Sequence, residues 1–595
     1  MMYDLVLLHA PSVYDFRENS LLAGPISDVV PSSPVFEMYP IGITSIADYL
    51  ERYGLKVRII NIANRMLMDE NFDVEKKLKG IKAKCFGIDL HWLPHAHGSI
   101  ELAKIVKRLH PDTPIMFGGL SSTYYHKDLI EYPCIDFVLR GDSTEKLVLM
   151  LMNKLEFGNT LYEDIPNLTW KRGTEVGYNP LSYVPKDLDE FDVPGYRYAI
   201  KSVFKYKNFM DPLPYNGWLQ YPNTAILTAR GCTQNCLICG GSKDGYDQNC
   251  NRKSLALRSP EKLVEDIQFI QRFSRAPIFI LHDIRQGGKK YVEEFFGRLK
   301  NINLKNELVF ELFQYANEDF FKQINEAVPK YSVELTLETH DEGIRRYNGK
   351  FNCTNAKVIE TLQFALKHGC KKIDLFFMIG IPHQTYQSAL ENVDFAERIH
   401  LECGQDPRLF YFVAPLAPFL DPASAAFENP ELYGYKKLCH TLEDHRNAIT
   451  QPSWKHMLSY ETVDMTRDDI VDATYDSAKL LNDFKLKYKL IDRAGYEDIK
   501  YKIEKSQEYI ERIDHLLTLP KEEYQVELVT IKKEIEELNK HSICGSNELK
   551  WEVQKNYANF FSLAMVGLEQ LYKDYSNSVR SRLQPKVRHE VNLDA

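Results

Sequence analysis

Three thiols fall on one short stretch, Thr228-Ala-Arg-Gly-Cys-Thr-Gln-Asn-Cys-Leu-Ile-Cys-Gly-Gly-Ser242, at Cys232, Cys236 and Cys239. Three thiolates on one loop can hold three irons of a cubane cluster and leave the fourth iron without a protein ligand, an open position for chemistry. Structural zinc asks for four ligands, usually as two close pairs far apart in sequence; here the nearest spare thiol is Cys250, with no second pair. A disulfide reading meets an odd number of thiols. The preceding Thr224-Ala-Ile-Leu-Thr-Ala reads as a buried strand that Arg230-Gly231 breaks. The cysteines therefore sit on a loop at a strand's C-terminal end, where α/β folds carry their chemistry.

Cys232-x-x-x-Cys236-x-x-Cys239, with an apolar residue just before the third cysteine, resembles the signature of the radical S-adenosylmethionine (AdoMet, SAM) superfamily. The resemblance implies a 4Fe-4S cluster whose free iron is chelated by AdoMet. It also implies one-electron cleavage to a 5′-deoxyadenosyl radical and a flavodoxin- or ferredoxin-type reductant protein.

Positioning such a loop takes a scaffold, and 595 residues are enough for three or four domains. Hydrophobic residues at 44% and charged residues at 26% are ordinary globular values, and a net charge of −9 argues against nucleic acid as the main partner. No apolar run approaches a membrane span; Leu409 to Leu420 is broken by Pro415 and Pro418. The start Met1-Met-Tyr-Asp-Leu has no cationic secretory n-region, and eleven scattered cysteines fit a reducing cytoplasm, the expected location.

Residues 1–155 carry five apolar runs alternating with helical patterns: Tyr3 to His9, Lys56 to Asn61, Cys85 to Leu90, Pro114 to Gly119 and Ile135 to Gly141. That rhythm predicts a doubly wound, Rossmann-like parallel sheet that binds a ligand at the carboxyl ends of its strands. Pro40-x-Gly42, Gly118-Gly119-Leu-Ser121-Ser122 and Arg140-Gly141-Asp142-Ser-Thr-Glu145 resemble the cobalamin-binding domain that precedes many radical AdoMet cores. By that resemblance His91, Trp92, Gly118, Gly119, Ser121, Ser122, Gly141, Asp142 and Glu145 line cobalamin. Where the best-known cobalamin fold carries Asp-x-His-x-x-Gly, this chain has His9-Ala-Pro-Ser-Val-Tyr14, so cobalt is expected without that lower histidine. His91, His95 and His97 form the densest histidine cluster. Cobalt or tail contact competes there with plain loop histidines at a helix start, and zinc lacks the usual helical spacing.

Proline-rich residues 156–220 read as a connector. From 221 to 425 the strand and helix rhythm returns, with strands at Pro277 to Asp283, Leu308 to Gln314, Ser332 to Glu338, Lys372 to Pro382 and Leu409 to Pro415. Counted with the cysteine strand, these make the partial (β/α)6 barrel of a radical SAM core. The resemblance assigns AdoMet contacts to Gly240, Gly241 and Ser242 (amine), to Glu338 (ribose), and to Gly380 and Ile381 (adenine). His282, Asp283, Gln314, His340, His383 and Tyr411 are candidate cavity residues at or past strand ends. Residues 426–595 read as mostly helical, with a capping box at Thr466-Arg-Asp-Asp469 and a hairpin of helices on either side of Pro520.

The expected enzyme is a cobalamin-dependent radical SAM C-methyltransferase acting on an unactivated carbon. Similar enzymes methylate small metabolites, lipids, tetrapyrroles or protein and peptide side chains, including a glutamine of methyl-coenzyme M reductase. The rival readings are a cobalamin-binding radical SAM cyclase or rearranging enzyme without methyl transfer, and a non-catalytic cobalamin or cluster carrier.

Overall fold

The computed structural model describes residues 2–18, 35–192, 195–218, 224–350, 352–416, 418–535, 538, 543–544, 548 and 560–582. Two parallel sheets form its frame. The first contains β1 (Met2–His9), β2 (Val57–Asn61), β3 (Lys82–Asp89), β4 (Ile115–Gly118) and β5 (Phe137–Leu139), all parallel, with helices between them. Parallel strands covered on both faces read as unbroken apolar runs, and Leu5, Val6, Leu7 and Leu8 of β1 are accordingly all buried.

The stretch read as a connector is more structured than its prolines suggested. β6 (Leu168–Arg172) and β7 (Glu175–Tyr178) fold back as an antiparallel hairpin on β5, giving the order β2-β1-β3-β4-β5-β6-β7. A Cβ on Gly177 would stand 2.2 Å from the Trp170 ring, so glycine is what lets this hairpin close on the indole. A helix, Tyr196–Tyr206, follows and packs against the helix Gly42–Arg52.

The second sheet holds β8 (Thr224–Leu227), β11 (Ile278–Leu281), β12 (Leu308–Leu312), β13 (Tyr331–Glu338), β14 (Ile373–Ile379) and β15 (Leu409–Pro415). They lie parallel in chain order, the expected six strands. Two short antiparallel strands, β9 (Ala229–Arg230) and β10 (Ala256–Leu257), form the exit from β8 toward the cysteines. The covering helices start at side-chain caps that accept backbone N–H groups: Ser259, Asn317, Thr354 and Thr385.

The C-terminal region begins with short helical turns and an antiparallel pair, β16 (Tyr435–Lys437) against β17 (Tyr460–Thr462), with two short helices between the strands. Helix Arg467–Lys487 follows, with the expected Thr466/Asp469 capping box, then Arg493–Leu516 and Lys521–Ile535. Helix Phe560–Arg582 lies on Tyr196–Tyr206, with Gly567 against the Phe204 ring. Among the described residues no helix is long and apolar enough to cross a membrane.

Candidate functional site

The cysteine loop is built by short-range bonds. Gly231, at φ +91°, turns the chain out of β9. The Gln286 side chain accepts from Thr233 N at 2.7 Å and donates its amide to Cys232 Sγ at 3.5 Å; Gln234 N donates to the same sulfur at 3.3 Å. Leu237 N donates to the Asn348 carbonyl at 2.8 Å, and Gly240 N to the Asp421 carboxylate at 3.2 Å. Burial pushes the Cys236 thiol up to about 11, with Lys350 pulling it back, and Cys239 up to about 12. Sulfurs held in such a pocket need positive charge to become thiolates. Three thiols spread along one loop fit the donor set of a cluster.

The strand ends beside this loop fit AdoMet at two places. Glu338 closes β13 beyond a break in register with β14, at φ +68°; it is 1% exposed and its Oε2 has no hydrogen-bond partner. A buried carboxyl with one unpartnered oxygen at a strand end suits a hydroxyl-bearing ligand. Gly380, at φ +87°, donates to Gln384 Oε1 at 3.0 Å and accepts from the Tyr435 hydroxyl at 3.1 Å. A Cβ on Gly380 would lie 3.1 Å from the Tyr460 hydroxyl. The Ile381 side chain is in the core, so only its backbone is left to face a ligand. The Ser242 hydroxyl is committed locally: buried, it accepts from Gly245 N at 3.1 Å and caps the helix Lys243–Cys250, which leaves the backbone of the turn for a ligand. Gly240 and Gly241 remain on the loop, Gly241 beside the Cys239 sulfur.

On the first sheet, His91, Trp92, Gly118 and Gly119 meet at the ends of β3 and β4. Gly119, at φ +117°, has its Cβ position 2.6 Å from His91 Cα, so a side chain there would push the His91 loop away. The His91 imidazole makes no hydrogen bond among the described residues; it lies edge-on to Trp92 at 4.6 Å, and burial lowers its pKa to about 4. His9, His95 and His97 each use at least one ring nitrogen within the chain. His9 Nδ1 lies 2.8 Å from Asp89 Oδ1, His95 Nε2 donates to the Phe36 carbonyl at 2.8 Å, and His97 Nδ1 accepts from Tyr14 N at 3.2 Å. Residues present thus fit a flat macrocycle at glycine and aromatic edges, with His9 unavailable to cobalt.

Several residues expected to line cobalamin also stitch the scaffold. The Ser121 hydroxyl donates to the His91 carbonyl at 3.0 Å and that of Ser122 to the Gly118 carbonyl at 3.1 Å. Asp142 is paired with Arg252, whose Nη2 lies 2.9 Å from Oδ1, and Glu145 with Arg230 at 2.8 Å. The Ser45 hydroxyl adds a bond of 2.7 Å to Glu145, and Gly141, at φ +108°, donates to Thr123 Oγ1 at 2.9 Å. Arg230 and Arg252 flank the cysteine loop, so these buried pairs bolt the strand ends of the first sheet to it. Asn249, on the helix after the cysteines, reinforces the joint with a bond of 3.1 Å to the Leu120 carbonyl.

The cavity candidates divide. His282 stands at the barrel mouth, at φ +81°; its ring nitrogens are shut from solvent and lie near the Gly231 and Asp283 backbone without reaching hydrogen-bonding geometry. Asp283 is occupied by Arg285 and by Phe313 N at 2.9 Å, and Gln314 donates to Gln234 at 2.7 Å. His340 lies beside Asn392 and Glu391, at 3.1 and 3.3 Å. His383, at φ +62°, meets the Tyr347 ring edge-on at 4.6 Å. Tyr411 points outward between barrel and helices, its hydroxyl 3.4 Å from His400 and its ring against Phe484. Nothing in the sequence points to Tyr435, Tyr460, Gln286, Asp421 or Lys350, because single polar, charged or aromatic residues far along the chain carry no local motif. Glu311, Glu334 and Asp374 had a visible signal, an acid inside an otherwise apolar strand.

Known proteins show the same organisation. A B12 binding domain model matches residues 28–150, and a radical SAM superfamily model matches residues 226–396. An uncharacterized methyltransferase of Pyrococcus horikoshii is 23% identical over 376 residues, 62% of this chain and 74% of the relative. The hopanoid C-3 methylase of Methylococcus capsulatus is 23% identical over 352 residues, 56% of this chain and 59% of the relative. The structure of the radical S-adenosylmethionine methyltransferase TsrM from Kitasatospora setae, with cobalamin and a [4Fe-4S] cluster bound, superposes with a TM-score of 0.54 at 12% identity. It covers 86% of this chain and all (100%) of that one.

Proposed function

We propose, for a chain that belongs to the cobalamin-dependent radical SAM methyltransferases, that it methylates an unactivated carbon of a peptide or protein side chain. When bound, the cluster and AdoMet supply radical initiation and cobalamin carries the methyl group. Cys232, Cys236 and Cys239 would hold the cluster. Glu338 and the Gly380 turn would hold AdoMet, and His91, Trp92, Gly118 and Gly119 would face cobalamin. The glutamine of methyl-coenzyme M reductase implied by resemblance is one member of the substrate class.

The observation that carries this reading is the pair of buried ion pairs, Arg230 with Glu145 and Arg252 with Asp142, that fixes the cysteine loop against the sheet's strand ends. Transfer between two cofactors demands a fixed separation, because misplacement by about 1 Å can cost a hundredfold in rate. The chain's own residues do the positioning. Gln286 and Asp421 hold the cysteine loop at both ends. Tyr435 and Tyr460 brace the Gly380 turn. Phe376 and Phe412, stacked at 5.0 Å, give the barrel an apolar wall that keeps water from a reactive intermediate.

The test is anaerobic turnover of reduced holoenzyme with deuteromethyl-labelled AdoMet and fractionated peptides, read by mass spectrometry. Label on a carbon of a peptide, with both 5′-deoxyadenosine and S-adenosylhomocysteine formed, supports the proposal. Deoxyadenosine formed alongside a rearranged, unlabelled product would favour the cyclase reading.

A further inference from the structure

A row of carboxylates crosses the barrel that cofactor binding leaves unused. Parallel register pairs Glu311 of β12 with Glu334 of β13, and Glu334 with Asp374 of β14. Paired residues on neighbouring strands point to the same face. That face is the inner one: the adjacent Phe310 and Phe377 pack outward on Phe296 and Phe395 of the covering helices.

The acids lack cations of their own except at the floor. Lys372 Nζ sits 2.9 Å from Asp374 Oδ2 and 4.8 Å from the centre of the Phe410 ring, and donates to the Glu548 carbonyl at 2.6 Å, so one ammonium of the chain already rests on an acid, a ring and a carbonyl there. Asp374 is 0% exposed, yet its Oδ1 has no hydrogen-bond partner. Glu334 makes no hydrogen bond or ion pair among the described residues. Glu311 receives the His282 backbone N–H at 2.7 Å. Of the nearby charges, Arg285 is taken by Asp283, and Lys350 acts on Glu311 only through its field. Burial and the neighbouring acids hold Glu334 up at about 8, and a positive ligand placed beside it would favour the ionised carboxylate. The aromatic wall of Phe376 and Phe412 lies on the same face as Asp374.

We propose that the inner face of the barrel takes a substrate bearing an ammonium or guanidinium group, received by Glu311 and Glu334. The word substrate rests on the methyltransferase reading; the binding itself does not. Within peptide substrates the inference selects a cationic side chain over a neutral glutamine amide.

The test is isothermal titration calorimetry of anaerobic holoenzyme with agmatine, which carries both cationic groups, against butyrate and n-pentanol. Agmatine is expected to bind, butyrate and pentanol at least tenfold more weakly. Glu334→Gln should weaken agmatine at least tenfold with cobalamin and iron contents unchanged. Glu334→Lys, which supplies the chain's own ammonium, should abolish agmatine binding and keep the fold. If Glu334→Gln does not fold, Glu311→Gln is read in its place with the same expected loss. Equal binding of butyrate or pentanol, or agmatine binding unchanged by these substitutions, overturns the proposal. Turnover is not needed, so failure of methyl transfer leaves this result readable by itself.

Discussion

Arg230 donates to Glu145 across 2.8 Å, with both side chains buried, and so ties the residue two before Cys232 to the first turn of the helix that follows β5. The Ser143 and Ser45 hydroxyls complete the joint at 2.7 Å each. A buried pair satisfied on several sides is a registry device more than a source of stability.

Removing one partner leaves the other charge buried and alone, which costs about 3–5 kcal/mol. Glu145→Gln should therefore lower the unfolding free energy in denaturant titrations by that order. Glu145→Gln combined with Arg230→Met should recover part of the loss. Additive losses in the double variant would mean that the two groups do not act as a pair.

Ser242→Ala removes a helix cap and should cost about 1 kcal/mol of stability. AdoMet affinity, measured by calorimetry on the cluster-loaded protein, should stay within about twofold. A loss of a hundredfold with an intact fold would restore Ser242 to the ligand side.

Glu338→Gln keeps the shape but weakens the acceptor, and AdoMet affinity should fall about tenfold, near 1.4 kcal/mol, with iron content unchanged. Unchanged affinity would place AdoMet elsewhere.

Glu334 is raised from its ordinary 4.5 to about 8 by burial and the neighbouring Glu311 and Asp374. Between those values the folded chain keeps a proton that the unfolded chain has lost, so stability falls as pH rises from about 4.5 to about 8 and then levels. Asp48, Asp266 and Asp374, each raised to about 6, add to the lower part of the decline. In Glu334→Gln the melting temperature of the cofactor-free protein should drop less between about pH 5 and pH 8 than in the wild type. Parallel curves would contradict the assignment.

Strands that are buried on both faces were legible because their apolar runs are continuous, as in Leu5 to Leu8 and Leu375 to Ile379. The loops were legible where glycine and cysteine break those runs. What the sequence concealed depends on partners far along the chain. Asp142 and Glu145 resemble ligand residues until Arg252 and Arg230 come to rest on them. Ser242 resembles a contact until its helix forms and takes the hydroxyl. The β6/β7 hairpin hid among prolines because its strands are only five and four residues long. Tyr435 and Tyr460 reach the Gly380 turn only through tertiary packing, which no local pattern encodes.

The most direct test is iron, sulfide and cobalamin analysis of anaerobically purified protein beside a variant with Cys232→Ala, Cys236→Ala and Cys239→Ala. Equal iron and sulfide in the wild type, both lost in the variant with cobalamin retained, is the expected result. Zinc in place of iron, or iron that survives loss of all three thiols, would contradict a cluster on this loop and with it the radical chemistry.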